Sequence, residues 1–491
     1  MTTPSTTHRA LRSRTPLKTI HTVAALAAAG LVLVACSDKQ LDITNPNTPT
    51  VAAASADQQA LQLQVTGLLR QLRNGRGGFI TETGRLGREA FVYTPQEGRN
   101  TSHYLIGLVG QNRLDNAGFA VGSWATQYGN LRDIFNVKNS VTASPNLSVE
   151  QKSALTGLAR TLEAMELLYV IATRDTIGAV VEIKQDASDL AAFVSRDSVY
   201  KYILNTLDAG ATALAAGGAT FPVALHSGFT GFNTPATFRT FNRAIAARAA
   251  SYYATSGGGT AAWQTALTAL SASFLNSAAT TRAALDAGPS HPYSTASGDV
   301  NNPLNATTNT DLFAHPSFTT DAQNKADGTP DNRYSSKIGA RATRAAPQSL
   351  GISSSIGFNI YPTTSNSIPI IRNEELILIR AEALLATGDK AGAIAMINQV
   401  RTNSGGLAPS TLTAASADAD ILTAVLYEKR YSLMLEGNRW IDMRRYNRLS
   451  QLPLDITTGT NAHFIARVQP IPQTECLVRA GKTGALAGPG C

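Results

Sequence analysis

Cysteine is scarce in this sequence of 491 residues, where it occurs only at Cys36, Cys476 and Cys491. The last two lie in the final stretch of the chain. A disulfide bond that closed the loop between them would contribute about 3 kcal/mol in the chain-entropy model. The alternative, which the residues leave open, is two unpaired thiols on a loose tail.

Motifs for catalysis and for cofactor binding are also lacking. After residue 35 no histidines have the HExxH spacing, and there is no nucleophile elbow, phosphate loop or dinucleotide fingerprint. Adjacent Glu374 and Glu375 do not suit a glycosidase, because helix neighbours point about 100° apart, whereas retaining chemistry needs two carboxyls about 5 Å apart across a substrate. We therefore expect no enzyme activity and no cofactor.

A metal site has equally little support in the sequence. The Asp- and Asn-containing run 321–332 lacks the ligand alternation of an EF-hand loop. The run is predicted to form turns, and a calcium ion on these loops is left open. We expect no dedicated metal centre.

Excess positive charge is small once the N-terminal segment is set aside. The formal net charge is +8, and residues 1–35 contain four basic and no acidic residues, which leaves +4 on residues 36–491. Over that length the balance is close to neutral. Composition therefore gives no support for a nucleic-acid partner.

The N-terminus has the pattern of an export signal. A basic segment precedes the apolar run VAALAAAGLVLVAC, residues 23–36, which is too short to span a bilayer as a mature helix. The run ends in LVAC, which resembles a bacterial lipobox. We predict that residues 1–35 are a lipoprotein signal peptide and that Cys36 is acylated, with palmitate or similar chains that anchor the protein stably. An ordinary signal peptide that contains a cysteine is the alternative.

Apolar periodicity predicts helices over most of the remaining chain. After a polar tether, residues 36–56, helical stripes occur at 57–73, from Trp124, from Ser148 to about 173, from Ser195, and around 235–256 and 260–274. Residues 74–122 are glycine-rich and 286–370 are rich in turn residues, so both are predicted to be irregular. Helices resume at 372, where a helix, a Gly388-Asp389 turn and a second helix resemble a tetratricopeptide unit.

The segment EKRYSLMLEGNRWIDMRRYNRL, residues 428–449, contains six basic and three acidic residues around Trp440. A nucleic-acid surface would more plausibly show a basic run with no acid inside it. Interleaved charges favour ion pairs inside the protein, with arginine forking onto carboxylates. We interpret the segment as a structural seam between helices, and expect Arg439 to pair with a partly buried carboxylate there.

The order of motifs in this half of the chain resembles the C-terminal half of the SusD/RagB family of outer-membrane nutrient-binding lipoproteins. The motifs are RNEELILIRAEA at 372–383, GD at 388–389, INQVR at 397–401, EKR at 428–430, EGNRWIDMRR at 436–445 and PIP at 470–472, followed by Glu475. Two departures are Asn438, where the family often has His, and RDTIGA at 174–179, which replaces a Tyr-Gly-Asp-hydrophobic-Pro turn. These shared motifs are structural and transfer no ligand residues.

The resemblance implies a mainly α fold, with tetratricopeptide-like helix-turn-helix units beside an irregular region that contains few short strands. Residues 57–491 would form one such unit, with 371–475 as its tetratricopeptide-like and signature region. The resemblance also implies a non-catalytic protein, lipid-anchored in the outer membrane and facing the cell exterior. It would pass glycans or peptides to a SusC-like TonB-dependent transporter. An exported lipoprotein glycosidase and a protein-binding tetratricopeptide scaffold are the alternatives.

Ligand-binding residues in the family tend to come from the two irregular segments, 74–122 and 286–370. Sugars bind to flat aromatic faces, with amides, carboxylates and arginines on the hydroxyl groups. Trp124 and Trp440 lie in helical stripes and are predicted to be core, and Trp263 is ambiguous. The candidate ligand residues are therefore Tyr93, Arg99, Tyr104, Tyr293, Asn302, Phe313, Asp331 and Tyr334.

Overall fold

The computed structural model describes residues 58–106, 114–186 and 188–491. Helices dominate these residues, and the strands are few and short. The predicted fold class, mainly α with a loop-rich region, is confirmed. The predicted signal peptide, the tether and Cys36 lie outside the described residues, and the predicted domain boundaries stay predictions.

The described α-helices follow the sequence prediction closely in the helical segments. In chain order they are α1 (Gln58–Asn74), α2 (Arg76–Leu86), α3 (Arg99–Leu105), α4 (Trp124–Ala143), α5 (Val149–Arg174), α6 (Arg196–Ala215), α7 (Pro235–Tyr253), α8 (Gly259–Ser271), α9 (Arg282–Asp286), α10 (Ser317–Thr320), α11 (Asn332–Lys337), α12 (Asn373–Ala386), α13 (Lys390–Asn403), α14 (Asp418–Ser432), α15 (Arg439–Arg445) and α16 (Gln473–Val478).

Local capping explains where several of these helices begin. Ser148 accepts from the backbone N–H of Gln151, whose side chain accepts in return from the Ser148 N–H, so α5 begins with a complete capping box. Ser195 caps α6 through the N–H of Ser198. Thr234 caps α7 just before a proline, which suits the first helical position because its ring presets φ.

The long helices pack in sequence as a stack. Helix α4 packs on α5, α5 on α6, α6 on α7, α7 on α8, α8 on α12, and α12 on both α13 and α14. Helix α5 lies between two neighbours, and its predicted apolar stripe from Leu155 to Leu168 is buried. Trp124, Trp263 and Trp440 are all buried, so the ambiguous Trp263 is a core residue too.

Short antiparallel strands join the two segments that were predicted to be irregular. The described strands are β1 (Ala90–Val92), β2 (Ala179–Val180), β3 (Phe193–Val194), β4 (Ser290–His291), β5 (Leu312–Ala314), β6 (Ile338–Ala345), β7 (Ser353–Phe358) and β8 (Ile368–Pro369). Four of them form a sheet in the order β1-β5-β7-β6, with Phe91 opposite Phe313 and Phe313 opposite Gly357. The sheet therefore ties the early segment 74–122 to the later segment 286–370.

The prediction that 74–122 is irregular throughout is wrong for α2 and α3. Glycines at 77, 78 and 84 conceal α2, because glycine has poor helix propensity. Tertiary packing requires one of them: a Cβ at Gly77 would lie 2.2 Å from Cγ of Pro303. Close approach between two distant segments therefore outweighs local propensity here.

The structure joins Cys476 and Cys491 in a disulfide bond, with their Cα atoms 5.5 Å apart. Arg479, inside the loop that the bond closes, donates to the carbonyl oxygen of Ala191 and to Glu475. The bond thus closes a tail that packs on the helical body. Within the described ranges, no helix is both long and apolar enough to cross a membrane.

Candidate functional site

The charged C-terminal segment is a buried structural seam, as the interleaved charges predicted. Arg372, at the start of α12, pairs with Glu374, Glu436 and Asp286, and is 3% exposed. We call the following residues the charged seam: Arg248, Arg333, Arg372, Glu374, Glu375, Glu382, Glu428, Lys429, Glu436, Asp442 and Arg445.

Neighbouring cations keep Glu374 of the charged seam ionised despite its burial. Burial alone would raise the pKa of Glu374, but Arg372, Arg282 and Lys337 outweigh it and hold that pKa well below its usual range. Lys429 bridges Glu382 at 3.1 Å and Asp442 at 2.8 Å, which ties α14 to α12 and α15. Because these ion pairs connect different helices, we assign the seam a structural role.

Arg439 does not have the ion pair that the sequence predicted. No carboxylate of the described residues lies in salt-bridge contact with it, and its Nε has no hydrogen bond. Burial lowers the pKa of Arg439 to about 10, with neighbouring Arg430 acting in the same direction and Glu89 opposing. Other arginines, such as Arg372 and Arg445, form the ion pairs of the seam. The sequence does not reveal which arginines face a carboxylate.

Six of the eight predicted ligand residues are buried and have partners inside the protein. Tyr93 and Phe313 lie in one aromatic cluster with their ring centroids 5.4 Å apart. The hydroxyl of Tyr104 donates to the carbonyl oxygen of Phe119 at 2.6 Å, and that of Tyr293 donates to the carbonyl oxygen of Arg73 at 2.9 Å. Asn302 is buried, and its amide donates to the carbonyl oxygen of Asn366, 64 residues further along the chain.

The sixth buried residue is Asp331, and the remaining two predicted residues, Tyr334 and Arg99, are not buried. Asp331 is buried, caps α11 through the N–H of Arg333, and pairs with that guanidinium at 2.6 Å. Tyr334 is half-buried, and its hydroxyl lies 2.9 Å from Oγ1 of Thr319. Arg99 is exposed, and it lies in an aromatic environment that the sequence did not single out.

We call the surface around Arg99 the Phe119 face: Glu97, Arg99, His103, Phe119 and Gln348. Phe119 is 41% exposed, more than any other aromatic residue in the part of the chain that the structure describes. The Arg99 guanidinium carbon lies 4.9 Å from the Phe119 ring centroid, and the His103 ring centroid lies 5.9 Å from it. An exposed ring beside polar side chains is the arrangement that sugars require.

Several elements position the Phe119 face. Phe119 begins a 3-10 turn, Phe119–Val121, whose backbone N–H donates to Nδ1 of His103 at 3.4 Å. The following Gly122 has φ +69°, and a Cβ there would lie 2.4 Å from the Gln469 amide, so only glycine fits. The aromatic cluster of Tyr93 and Phe313 packs with Leu105 of α3 and Leu350 of the β6–β7 loop, directly beneath these segments.

The two irregular segments meet at this face. Gln348 lies against Gly98, where a Cβ would come within 2.3 Å of its Oε1. Gln348 and the adjacent Ser349 both have left-handed backbones, with φ of +59° and +55°, which is a strained arrangement for two residues other than glycine. The strain holds an exposed amide beside α3, and strained loops of this kind cluster at functional sites.

Glu97 keeps a negative charge on the Phe119 face. Its two carboxylate oxygens accept from Arg99 Nε at 2.8 Å and Nη2 at 2.6 Å. The hydrogen bonds from the Arg99 side chain and backbone lower the pKa of Glu97 to about 2. A carboxylate, a guanidinium and an amide therefore surround the exposed ring at neutral pH.

A second opening lies in the later irregular segment. This cleft has a volume of about 450 Å³. Its wall combines amide and hydroxyl side chains, such as Asn332 and Asn359, with charged ones that include Arg333, Arg372 and Glu436 of the charged seam. The size falls within the range of ligand pockets. Its polar lining suits a ligand rich in hydroxyl groups, but it has no exposed aromatic ring.

Neither surface contains a described cluster of side chains suited to a metal ion. No cluster of three or more histidine, cysteine or acidic side chains suited to a metal ion occurs among the described residues. The chemistry on offer is hydrogen bonding and stacking. The fold and the Phe119 face together define a tetratricopeptide-like helical protein that presents a loop-built surface.

Comparisons with known proteins find a similarity to the SusD family in the C-terminal part of the chain. The model of the SusD family matches residues 292–475. A SusD-like protein, P38, from Formosa agariphila is 32% identical over 126 residues, which is 24% of this chain and 24% of that relative. The chain thus matches about a quarter of the length of this curated relative. The predicted resemblance to the SusD/RagB family is confirmed by the match of the family model to residues 292–475.

Solved structures share the fold over most of the chain. A SusD-superfamily protein from Bacteroides vulgatus has a TM-score of 0.64 at 14% identity, covering 88% of this chain and 98% of its own. Surface glycan-binding protein A from Bacteroides thetaiotaomicron, solved with laminarihexaose, has a TM-score of 0.64 at 10% identity, covering 87% and 98%. A SusD-like carbohydrate-binding protein from Bacteroides fragilis has a TM-score of 0.60 at 16% identity, covering 87% and 99%.

Proposed function

We propose that this protein is a non-catalytic, lipid-anchored nutrient-binding protein of the outer membrane, facing the cell exterior. It captures glycans, or peptides in the second instance, and delivers them to a SusC-like TonB-dependent transporter. The observation that carries glycan binding is Phe119: an aromatic ring 41% exposed, beside Glu97, Arg99 and Gln348. A structural relative of the same fold was solved with a bound glucan oligosaccharide, which supports the same class of ligand.

The exposed ring of Phe119 offers apolar surface that a ligand can cover. An apolar ring in water gains free energy when a flat apolar surface covers it, at roughly 25 cal/mol per Å². The ring faces of a sugar supply such a surface, while the sugar hydroxyls donate to Glu97 and accept from Arg99. Peptides lack the dense array of hydroxyl groups that these side chains satisfy, so we place glycans first.

A glycan-affinity measurement tests the ligand class. The mature protein is run by affinity electrophoresis through gels that contain soluble glucans, xylans, mannans or pectins, and hits are quantified by calorimetry. We expect retention by at least one glycan, and Phe119→Ala should weaken that binding about tenfold, since an aromatic platform contributes about 1 to 1.5 kcal/mol.

Leu63→Ala is the matched control for that variant. Leu63 is an apolar residue of α1 that is 62% exposed, so its truncation removes exposed apolar surface away from the Phe119 face. It should bind glycan as the unsubstituted protein does. If both variants lose binding equally, or if neither does, the assignment of the Phe119 face is wrong.

A pull-down from outer membranes tests the transporter and the anchor. The native protein, solubilised in detergent, should co-purify with a large TonB-dependent barrel, and Cys36→Ser should release it from the membrane fraction. Release of reducing sugar from a bound glycan would instead favour the glycosidase alternative. Stoichiometric periplasmic partners without a barrel would favour the scaffold.

A further inference from the structure

A second cavity lies on the far side of the charged seam, between α6, the end of α7 and α15. Its volume is about 190 Å³. The lining includes four arginines, Arg196, Arg444, Arg445 and Arg467, and one carboxylate, Asp175. We call it the arginine cavity. Such an imbalance is unusual, because arginines that lie close together repel one another unless acids or an anion intervene.

Asp175 neutralises little of this charge because two arginines share it. Arg196 pairs with it at 2.7 Å, and Nε of Arg444 lies 3.6 Å from its other oxygen. The remaining nitrogens of Arg444 donate to carbonyl oxygens, of Arg467 at 3.0 Å and of Ala172 at 2.5 Å. Arg467 is exposed, and its side chain has no hydrogen bond or ion pair within the described ranges.

Arg445 supplies a buried donor that has no acceptor. Its side chain is 3% exposed, with Nε on Asp442 at 2.8 Å and Nη2 on Glu382. Nη1 is buried and donates no hydrogen bond within the described residues. A buried donor left unpaired is costly, by more than an ordinary hydrogen bond contributes, so an acceptor at this position would be favourable.

The charge balance stays positive when the second layer is included. Lys429 lies behind the cavity and shares Glu382 and Asp442 with Arg445. Five cations therefore face three carboxylates: the four cavity arginines and Lys429 against Asp175, Glu382 and Asp442. An excess of two positive charges remains around the cavity.

The cavity also has hydroxyl and backbone features that suit a ligand. Ser256 lines it from a π-turn, Ala254–Gly258, at the end of α7, and such turns are frequent at functional sites. Asn447 lines it with a left-handed backbone, φ +55°. The volume is many times the roughly 10 to 15 Å³ that one water molecule needs, so it has room for a group larger than water.

We propose that the arginine cavity binds a small oxyanion: a phosphate, sulfate or carboxylate group, either as a free ion or carried by an acidic sugar. Guanidinium groups recognise such anions through paired N–H donors, and Arg445 Nη1 and Arg467 supply donors that no protein acceptor occupies. Neither the Phe119 face nor glycan delivery is required for this binding, so failure of one leaves the other standing.

Calorimetry on the mature protein tests this proposal. Sodium sulfate, sodium phosphate and sodium glucuronate are titrated at constant ionic strength, with sodium chloride and glucose as reference titrants. We expect saturable binding of at least one oxyanion and none of the reference titrants. Sulfate or phosphate alone would identify a free ion, and glucuronate alone would identify an acidic sugar.

Variants then assign the binding to the cavity. Arg467→Gln should weaken it about tenfold, because it removes a charged donor from an exposed position without a structural partner. Arg239→Gln, an exposed arginine of α7 outside the lining, is the control with the same charge change and should bind normally. Arg196→Gln is the second variant, should Arg467→Gln alter the fold.

Three results would overturn the proposal. The first is no saturable signal with any of the three oxyanions. The second is binding that neither Arg467→Gln nor Arg196→Gln weakens. The third is an equal loss in Arg239→Gln, which would indicate a general charge effect and no specific site.

Discussion

The charged seam and the Phe119 face both contain arginine–carboxylate pairs, but the pairs are buried in the seam and exposed on the face. In the seam, Arg372 is 3% exposed and lies between three carboxylates from different elements. On the face, Arg99 is 58% exposed at its side chain, and among the described residues its one ion pair is with Glu97, two residues away. Burial makes a charge dependent on its partners, whereas exposure leaves it available to a ligand.

This difference between the buried seam and the exposed face explains why the signature motifs carry little information about the ligand. Each seam residue is needed where it is because removing one partner would leave a buried charge unpaired. The face is built at the surface on α3 and the neighbouring loops, so we expect that its side chains can change without unfolding the protein. Fold and ligand are thus encoded in separate parts of the chain.

The largest expected effect comes from breaking the seam. Arg372→Ala removes the guanidinium that Glu374 and Glu436 share, which leaves two buried carboxylates without it. We expect a loss of about 3 to 5 kcal/mol in the free energy of unfolding, measured by urea denaturation. Arg99→Ala is the matched arginine truncation on the face. Equal stability of the two variants would contradict the contrast between the regions.

Glu166, a buried carboxylate outside the seam, should make the stability of the protein depend on pH in the opposite direction to the seam residue Glu374. Glu166 of α5 accepts a hydrogen bond from Asn130 at 2.9 Å but forms no salt bridge within the described residues. Burial raises the pKa of Glu166 from 4.5 to about 7, against the opposing effects of Asn130 and Arg76. A carboxyl with a raised pKa favours the folded state at low pH, and this contribution is lost as pH rises through about 7.

Glu166→Gln should remove that pH dependence. The free energy of unfolding of the variant, taken relative to that of the unsubstituted protein, should increase from pH 4.5 to pH 8. The increase should be at most about 3 kcal/mol, because each pKa unit corresponds to about 1.36 kcal/mol. Urea denaturation at both pH values measures the difference. Glu374→Gln, at a seam position whose pKa is lowered, is the opposite case and should lose stability most at the higher pH. A stability difference between Glu166→Gln and the unsubstituted protein that does not change with pH would disprove the assignment.

The smallest expected effect is at the exposed pair. Arg99→Ala should leave the melting temperature unchanged, because the Arg99–Glu97 pair is at the surface and spans one turn. Glycan affinity should fall, since the guanidinium lies over the Phe119 ring and donates from the same surface. Calorimetry with the glycan that Phe119 binds measures this. A destabilised variant with normal affinity would mean that the face and the seam have their roles reversed.

Sequence reasoning was most successful where local patterns decide structure. Apolar periodicity predicted helices from Ser148, from Ser195 and around residue 235, and α5, α6 and α7 begin at Val149, Arg196 and Pro235. It failed for α2, where glycines were required by a neighbouring segment. It also chose the wrong arginine in the seam, because Arg439 and Arg445 look alike in sequence and differ only in what faces them.

The predicted ligand residues also show that the sequence does not indicate which loop side chains are exposed. The two irregular segments lie together in part, since β1 pairs with β5, but the aromatic residues predicted as ligand contacts within them are mostly buried. Phe119 was missed although it lies in the first segment. Exposure of a ring is set by residues far along the chain, and no local signal marked it.

The sequence by itself determined the helices, the charged seam as a structural element and the similarity to the SusD/RagB family. These depend on spacing and on motif order, which a single chain displays directly. Tertiary structure alone decided that Phe119 is exposed while Tyr93 and Phe313 are buried, and that four arginines surround one cavity. Exposure and charge balance are sums over neighbours in space, and those neighbours come from segments separated by hundreds of residues.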